Sequence, residues 1–126
     1  MHALAQALNA IWPGRRVLGV LAFKRGHDLA ATLAPLAGRL SEAIVTRFEA
    51  TTDFGRGQAL EPASVEAALA TVDRRTPVEL EPDPIRAVQR ALAVAEPDDL
   101  VCVTGSLYLV GEIRAWLRAN PRPSPE

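Results

Sequence analysis

The stretch of residues 99–112 constrains the fold more than any other part of this sequence. Its first part, residues 100–104, is a run of apolar or β-branched residues without alternation, which is typical of a strand covered on both faces in a parallel sheet. After this run, apolar residues recur at spacings of three and four, at Leu107, Val110, Ile113 and Leu117. The stretch therefore predicts a strand, a Gly-Ser turn and a helix in direct succession.

The turn between the predicted strand and helix contains Gly105 and Ser106. A glycine permits a positive φ or a close approach of backbone. A serine at this position places its hydroxyl beside the first free N–H groups of the helix. Such a turn can hold an anion, but helix capping alone also explains the serine, and the residues leave both interpretations open.

The rest of the chain alternates between helical and strand-like apolar patterns. Helices are predicted over residues 3–12, 28–40, 62–75 and 84–95, and strands over residues 16–23, 42–48 and 77–81, the last near a sheet edge. Pro35 is expected to interrupt the second helix, and residues 49–61 are predicted to form a long loop. This alternation predicts an α/β fold in three layers, a mostly parallel sheet with helices on both faces.

Length and composition argue against several classes of protein. The 126 residues suffice for one domain, which we place at residues 1–119, followed by a Pro-rich tail at 120–126 that is predicted to be disordered. The net charge of −1 gives no basic footprint for nucleic acid. No apolar stretch approaches the roughly 18 residues of a membrane span. No signal peptide is visible and Cys102 has no second cysteine to pair with, so we predict a cytoplasmic location.

Three turns meet at one rim of the sheet if its strands are parallel. They are residues 24–28, the loop at 49–61 and the turn at 104–106. They bring together Lys24, which is the single lysine of the chain, with Arg56 and Ser106. An ammonium group, a guanidinium group and a helix N-terminus predict a receptor for a carboxylate or phosphate. A solvated turn lysine and an exposed loop arginine are the simpler interpretations, and they also remain open.

Residues 98–114 read Asp-Asp-Leu-Val-Cys-Val-Thr-Gly-Ser-Leu-Tyr-Leu-Val-Gly-Glu-Ile-Arg. This segment resembles the closing strand and helix of folylpolyglutamate synthase/dihydrofolate synthase, enzymes of the Mur ligase family. The resemblance spans about residues 3–118 and implies a Rossmann-like Mur ligase C-terminal domain. In the family a strand and an Asp-x-Ala-His-Asn-Pro segment precede the first helix. Neither has a counterpart here, so the resemblance implies a sheet that lacks the family's first strand.

The same resemblance implies four substrate-binding positions. Residues 21–24, Leu-Ala-Phe-Lys, are similar to the family's Leu-Ala-x-Lys-Asp turn, although three inserted residues delay the acid to Asp28. In the family, residues of this lysine turn and of the serine turn help to hold the incoming amino acid, which assigns that role to Lys24 and Ser106. Arg56 resembles the arginine of a family Arg-Ala segment. No residue of the chain is assigned a catalytic role.

Ligases of this family use ATP and Mg to activate a carboxylate as an acyl phosphate, which the amino group of glutamate then attacks. The loop that cradles the phosphates lies in a separate N-terminal domain, and this sequence contains no Gly-x-x-x-x-Gly-Lys-Ser/Thr motif. We therefore expect a domain that is not catalytic alone and binds no cofactor by itself. Its expected partners are glutamate or another small carboxylate, and an N-terminal ATPase domain or further copies of itself. The alternative is a stand-alone, non-enzymatic binding or interaction module with this fold.

Two other site types find little support in the residues. A serine hydrolase with Ser106 as nucleophile would need a Gly-x-Ser-x-Gly elbow and a histidine, but the second glycine is absent and the chain has only His2 and His27. A metal site is disfavoured because one cysteine and two distant histidines show no ligand spacing.

Overall fold

The computed structural model describes residues 1–25, 28–48 and 59–122, in which helices alternate with four strands. The helices are α1 (His2–Ile11), α2 (Leu29–Leu33), α3 (Pro62–Val72), α4 (Pro84–Val94) and α5 (Leu107–Ala119). The strands are β1 (Val17–Ala22), β2 (Glu42–Val45), β3 (Val78–Leu80) and β4 (Leu100–Gly105). The predicted α/β fold is confirmed. None of the helices in the described ranges is long and apolar enough to cross a membrane.

The four strands form one parallel sheet in the order β3-β2-β1-β4. β1 is central, and all six of its residues are buried. Its side chains alternate between two cores, because Val17 and Leu21 pack on the face that carries α1, α2 and α3, whereas Val20 and Ala22 pack against α4 and α5. Helices therefore cover both faces of the sheet, as predicted, and β3 lies at one edge.

β4 lies at the other edge of the sheet and is covered on both faces. Residues Leu100–Thr104 are all partly exposed, because β4 forms the other edge of the sheet and pairs with β1 on one side. The apolar run reflects coverage from above and below: Cys102 packs on the first core, and Val101 and Val103 pack on the second. The predicted coverage of both faces of β4 is therefore confirmed, and the apolar run carried no signal of its edge position.

The helix predicted over residues 28–40 is shorter than its apolar pattern suggests. Asp28 caps α2 as predicted, its carboxylate accepting the backbone N–H of Ala31 at 3.2 Å. α2 ends at Leu33, and a 3-10 turn follows at Ala34–Leu36. Pro35 explains the change, because it lacks the N–H group that would continue the helix.

Asp73, directly after α3, ties together three segments of the first face. Its carboxylate accepts hydrogen bonds from the Thr76 hydroxyl at 2.6 Å and from the Gly38 N–H at 2.8 Å. These bonds favour the ionised form and lower the pKa of Asp73 below its ordinary value of 3.8. The carboxylate thus anchors the turn after α3 to the connection between α2 and β2.

Asp73→Asn is expected to make the free energy of unfolding less dependent on pH. Because the folded-state pKa is lowered, ionised Asp73 stabilises the fold above pH 3.8, and this contribution is lost as pH falls through the folded-state pKa. The effect should be small, since the carboxylate is partly solvated. Urea unfolding should give a higher free energy of unfolding for wild type than for the variant at pH 7. The difference between the two should be smaller at pH 3. Glu66→Gln on α3 is the control, and a gap that widens on acidification would contradict the assignment.

Candidate functional site

The turn after β4 lies directly against the end of β1. Ala22 and Gly105 are paired in register, and the Ser106 N–H donates to the Ala22 carbonyl at 2.8 Å. Gly105 adopts a φ of 116°, and a Cβ added to it would lie 2.1 Å from the Ala22 oxygen. A glycine is therefore required here, both for its backbone conformation and for the close approach of the two strands.

Ser106 caps α5, as its position after the strand predicts. Its hydroxyl oxygen accepts the Tyr108 N–H at 3.1 Å, and the residue is 9% exposed. The cap uses the oxygen as an acceptor, so the hydroxyl hydrogen remains able to donate to a ligand. Capping and ligand binding are compatible in this geometry.

Ser106→Ala is expected to lower the free energy of unfolding by about 1 kcal/mol, the usual cost of losing an N-cap hydroxyl. Urea denaturation monitored by circular dichroism measures the loss. Ser106→Thr keeps a hydroxyl and should remain closer to wild type. Equal losses for the two variants would show that packing around the buried residue, rather than the cap, sets the stability.

Lys24 lies two residues beyond β1 and contacts the first turn of α5. Its Nζ is 5.9 Å from the centroid of the Tyr108 ring, within reach of a cation–π interaction. The Tyr108 ring is itself stacked on Phe48, with centroids 5.5 Å apart and an interplanar angle of 19°. The sequence did not reveal this aromatic pair. Its stacked rings form the surface beside which the lysine side chain lies.

Lys24 and Ser106 line the same cavity, of about 280 Å³, together with Gly105, Leu107 and Tyr108. None of these lining residues is acidic, and within the described ranges no carboxylate forms a salt bridge with Lys24. The ammonium group and the N-terminus of α5 make the local potential positive. The structure therefore brings the lysine turn and the serine turn together at one cavity.

The other two predicted site residues stand apart from this cavity. Asp28 is exposed and engaged in capping α2, and it does not belong to the described lining of the cavity. Arg56 lies outside the described residues. Roles for Asp28 and Arg56 in substrate binding therefore stay predictions.

A larger cavity, of about 490 Å³, lies beyond the ends of β2 and β3 and was not anticipated. Its lining comprises Arg47, Phe48, Pro82, Asp83, Pro84, Ile85 and Glu112. Arg47 forms an exposed salt bridge with Glu61 at 3.6 Å, and Asp83 caps α4. Charges of both signs line this cavity, whereas Lys24 is the one charged residue in the described lining of the Lys24–Ser106 cavity. The available sequence signal was Arg47-Phe48 at the end of the predicted strand over residues 42–48, a strand that ends at Val45 in the structure.

The described residues contain no cluster of metal-ligating side chains. No group of three His, Cys, Asp or Glu side chains among them is placed to hold a metal, and the sequence has no phosphate-cradling motif. Burial raises the pKa of the Cys102 thiol, which disfavours the nucleophilic thiolate.

A family model described as the C-terminal domain of dihydrofolate synthetase matches residues 2–119 of the chain. No curated protein matches the sequence. Solved structures of folate-modifying ligases do match the fold. E. coli FolC in complex with DHPP and ADP superposes with a TM-score of 0.79 and 21% identity, covering 95% of this chain and 26% of that one.

Two further solved structures match the same fold. Folylpolyglutamate synthase from Mycobacterium tuberculosis, complexed with ADP and AMPPCP, gives a TM-score of 0.75 at 24% identity over 91% of this chain and 26% of that one. The bifunctional folylpolyglutamate synthase/dihydrofolate synthase from Yersinia pestis, complexed with AMPPNP and Mn, gives 0.76 at 22% identity over 93% of this chain and 25% of that one. At these identities the structures establish the fold, and the chain spans about a quarter of their length.

Proposed function

Because this chain belongs to the family of dihydrofolate synthetase C-terminal domains, we propose that it is the amino-acid-binding part of a folylpolyglutamate/dihydrofolate synthase-like ligase of the Mur ligase family. Its ligand is glutamate or another small carboxylate. The observation that carries this proposal is the positive cavity shared by Lys24 and Ser106. The chain does not catalyse ligation alone.

The geometry of the cavity supports carboxylate binding through two different side chains. The ammonium group of Lys24 supplies a compact charge for one carboxylate oxygen. The Ser106 hydroxyl hydrogen is free to donate to the second oxygen, because the helix cap occupies the oxygen as acceptor. Contact with the Tyr108 ring restrains the lysine side chain, so less rotamer freedom is lost when the ligand binds.

In this proposal the contribution of the chain to ligation is positioning. A carboxylate held at Lys24 and Ser106 fixes one end of an amino acid, which orients its amino group toward an acceptor. Holding two reactants in a productive geometry removes much of the entropic barrier to their reaction. The carboxylate that this amino group attacks belongs to the other substrate. Its activation with ATP and Mg is assigned to an N-terminal ATPase domain, the proposed partner. The isolated chain should therefore hydrolyse no ATP above a matched blank.

Lys24→Met is expected to weaken glutamate binding about tenfold, because it removes one charge-assisted contact. The side chain is partly exposed, so the substitution should leave the free energy of unfolding nearly unchanged. Chemical-shift titration with glutamate measures the affinity, which should also fall as salt is added. Binding is expected to be weak in wild type.

Arg74→Met is the matched control, since it removes an exposed positive charge at the end of α3, away from the cavity. It should bind glutamate like wild type. Equal affinity of wild type and Lys24→Met would contradict the site assignment. Chemical-shift changes confined to the residues that line the 490 Å³ cavity would instead assign glutamate to that cavity, which Arg47 and Glu112 line.

A further inference from the structure

Leu107, at the first position of α5, is the most exposed large apolar residue in the described ranges, at 87%. A single exposed leucine is common on protein surfaces and needs no explanation by itself. This one also lines the 280 Å³ cavity, together with Lys24 and the buried Ser106. The cavity therefore places an apolar side chain beside the ammonium and hydroxyl groups that are proposed to bind a carboxylate.

The exposure of Leu107 follows from the direction of its side chain. Successive residues of a helix are turned by about 100°, which places Leu107 almost opposite Leu109, a completely buried residue of the second core. Because Leu107 faces away from the sheet, its exposure does not depend on which strand lies beside β4. Side chains of a helix also tilt toward its N-terminus. At the first position this tilt directs the side chain past the end of α5, where the cavity lies.

The ring of Tyr108 adds a second apolar surface to the lining of the cavity. Stacking on Phe48, which is 3% exposed, fixes the orientation of this ring. The Nζ atom of Lys24 lies 5.9 Å from the ring centroid. The carbon chain of a carboxylate bound at Lys24 can therefore contact apolar surface from both Leu107 and Tyr108.

We propose that Leu107 sets the specificity of this cavity by covering the carbon chain of the bound carboxylate, so that the site selects carboxylates with methylene groups next to the charged end. This inference rests on the proposed function, because it requires a carboxylate at Lys24 and Ser106. Glutamate belongs to the selected class. Complete burial of a methylene group raises affinity about fourfold. In this open cavity we expect coverage of about half of each methylene group, which corresponds to about twofold.

A series of straight-chain carboxylates tests the role of Leu107. Chemical-shift titration should show that wild type binds butanoate about fourfold more tightly than acetate, with propanoate between them, since each added methylene group contributes about twofold. In Leu107→Ala this preference should fall below about twofold. The variant is expected to fold normally, because the side chain is exposed.

Two variants control for effects other than apolar contact at the cavity. Leu107→Met keeps an apolar side chain of similar size and should retain the preference for butanoate. Leu117→Ala is the same truncation near the other end of α5, at a residue that is 39% exposed, and it should also retain the preference. A preference of equal size in wild type and Leu107→Ala would overturn the inference.

Intermolecular nuclear Overhauser effects identify the contact directly. At high butanoate concentration, the methyl protons of Leu107 should show effects to the methylene protons of the ligand, whereas the methyl protons of Leu117 should not. Binding of butanoate without effects to Leu107 would overturn the inference, even if the affinity rises with chain length.

Lys24→Met separates this inference from the proposed function. It should weaken acetate and butanoate by the same factor of about ten, which leaves the preference unchanged. If Lys24→Met weakens both ligands but wild type shows no chain-length preference, the role of Leu107 is overturned and the carboxylate site stands. If Lys24→Met weakens neither ligand, or if wild type binds neither, the carboxylate site is overturned together with the role of Leu107.

Discussion

Gly105→Ala is expected to lower the free energy of unfolding by about 3 kcal/mol or more, by combining backbone strain with a steric clash. The residue has a φ of 116°, which a non-glycine residue rarely adopts. The added Cβ would also lie 2.1 Å from the Ala22 carbonyl oxygen, a backbone atom of the central strand. That oxygen cannot move away without disturbing the pairing of β1 and β4. Urea denaturation of the purified variant measures the loss.

Two other glycines separate the contributions to this loss. Gly38 has a φ of 76° but nothing within 4 Å of an added Cβ, so Gly38→Ala should show the conformational cost alone, about 1 kcal/mol. Gly111 lies in α5 with open space around it, and Gly111→Ala should stabilise the helix by up to about 1 kcal/mol. A loss at Gly105 no larger than the loss at Gly38 would show that the strands separate easily at this turn.

The substitution at Gly105 also tests how the fold positions the candidate site. The Ser106 N–H donates to the same Ala22 oxygen that the new Cβ would approach. Displacing this contact moves the Ser106 hydroxyl away from Lys24, so glutamate binding should fall even under conditions in which the variant remains folded. The conformation of the turn and the geometry of the site are therefore set by the same contact.

Local sequence patterns predicted the parts of the fold that depend on neighbouring residues. The change from a continuous apolar run to a period of three and four located β4 and α5. Residue type and position located the caps at Asp28 and Ser106, because a cap satisfies backbone groups within three residues of itself. Topology predicted that Lys24 and Ser106 would meet, since parallel strands end at a common rim.

Features that depend on distant residues were not predictable in the same way. The edge position of β4 follows from the order in which crossovers place the strands, and an apolar run records only that helices cover its two faces. The role of Tyr108 depends on Phe48, a residue far away in sequence, whose ring supports it. No periodicity within α5 encodes that contact. Arg56 lies outside the described residues, so its predicted role in binding stays a prediction.

Leu21→Ala is expected to lower the free energy of unfolding by about 3 kcal/mol, within the usual range for a buried leucine. Leu21 is completely buried in the central strand and packs in the core formed with α1, α2 and α3. Truncation removes buried apolar surface and leaves a cavity, because β2 and β4 hold the backbone from both sides. Urea denaturation of wild type and variant at one temperature gives the difference.

Leu107→Ala is the matched control for this prediction, since Leu107 is 87% exposed. The same change in side chain should alter the free energy of unfolding there by no more than about 0.5 kcal/mol. Because Leu21 lies three residues before Lys24, glutamate affinity should be measured in the Leu21→Ala variant where it is still folded. Retained affinity would show that the site depends on strand pairing more than on core packing. A loss of stability no greater than at Leu107 would mean that the core closes around the truncated side chain, contradicting the rigid central strand on which the proposed site depends.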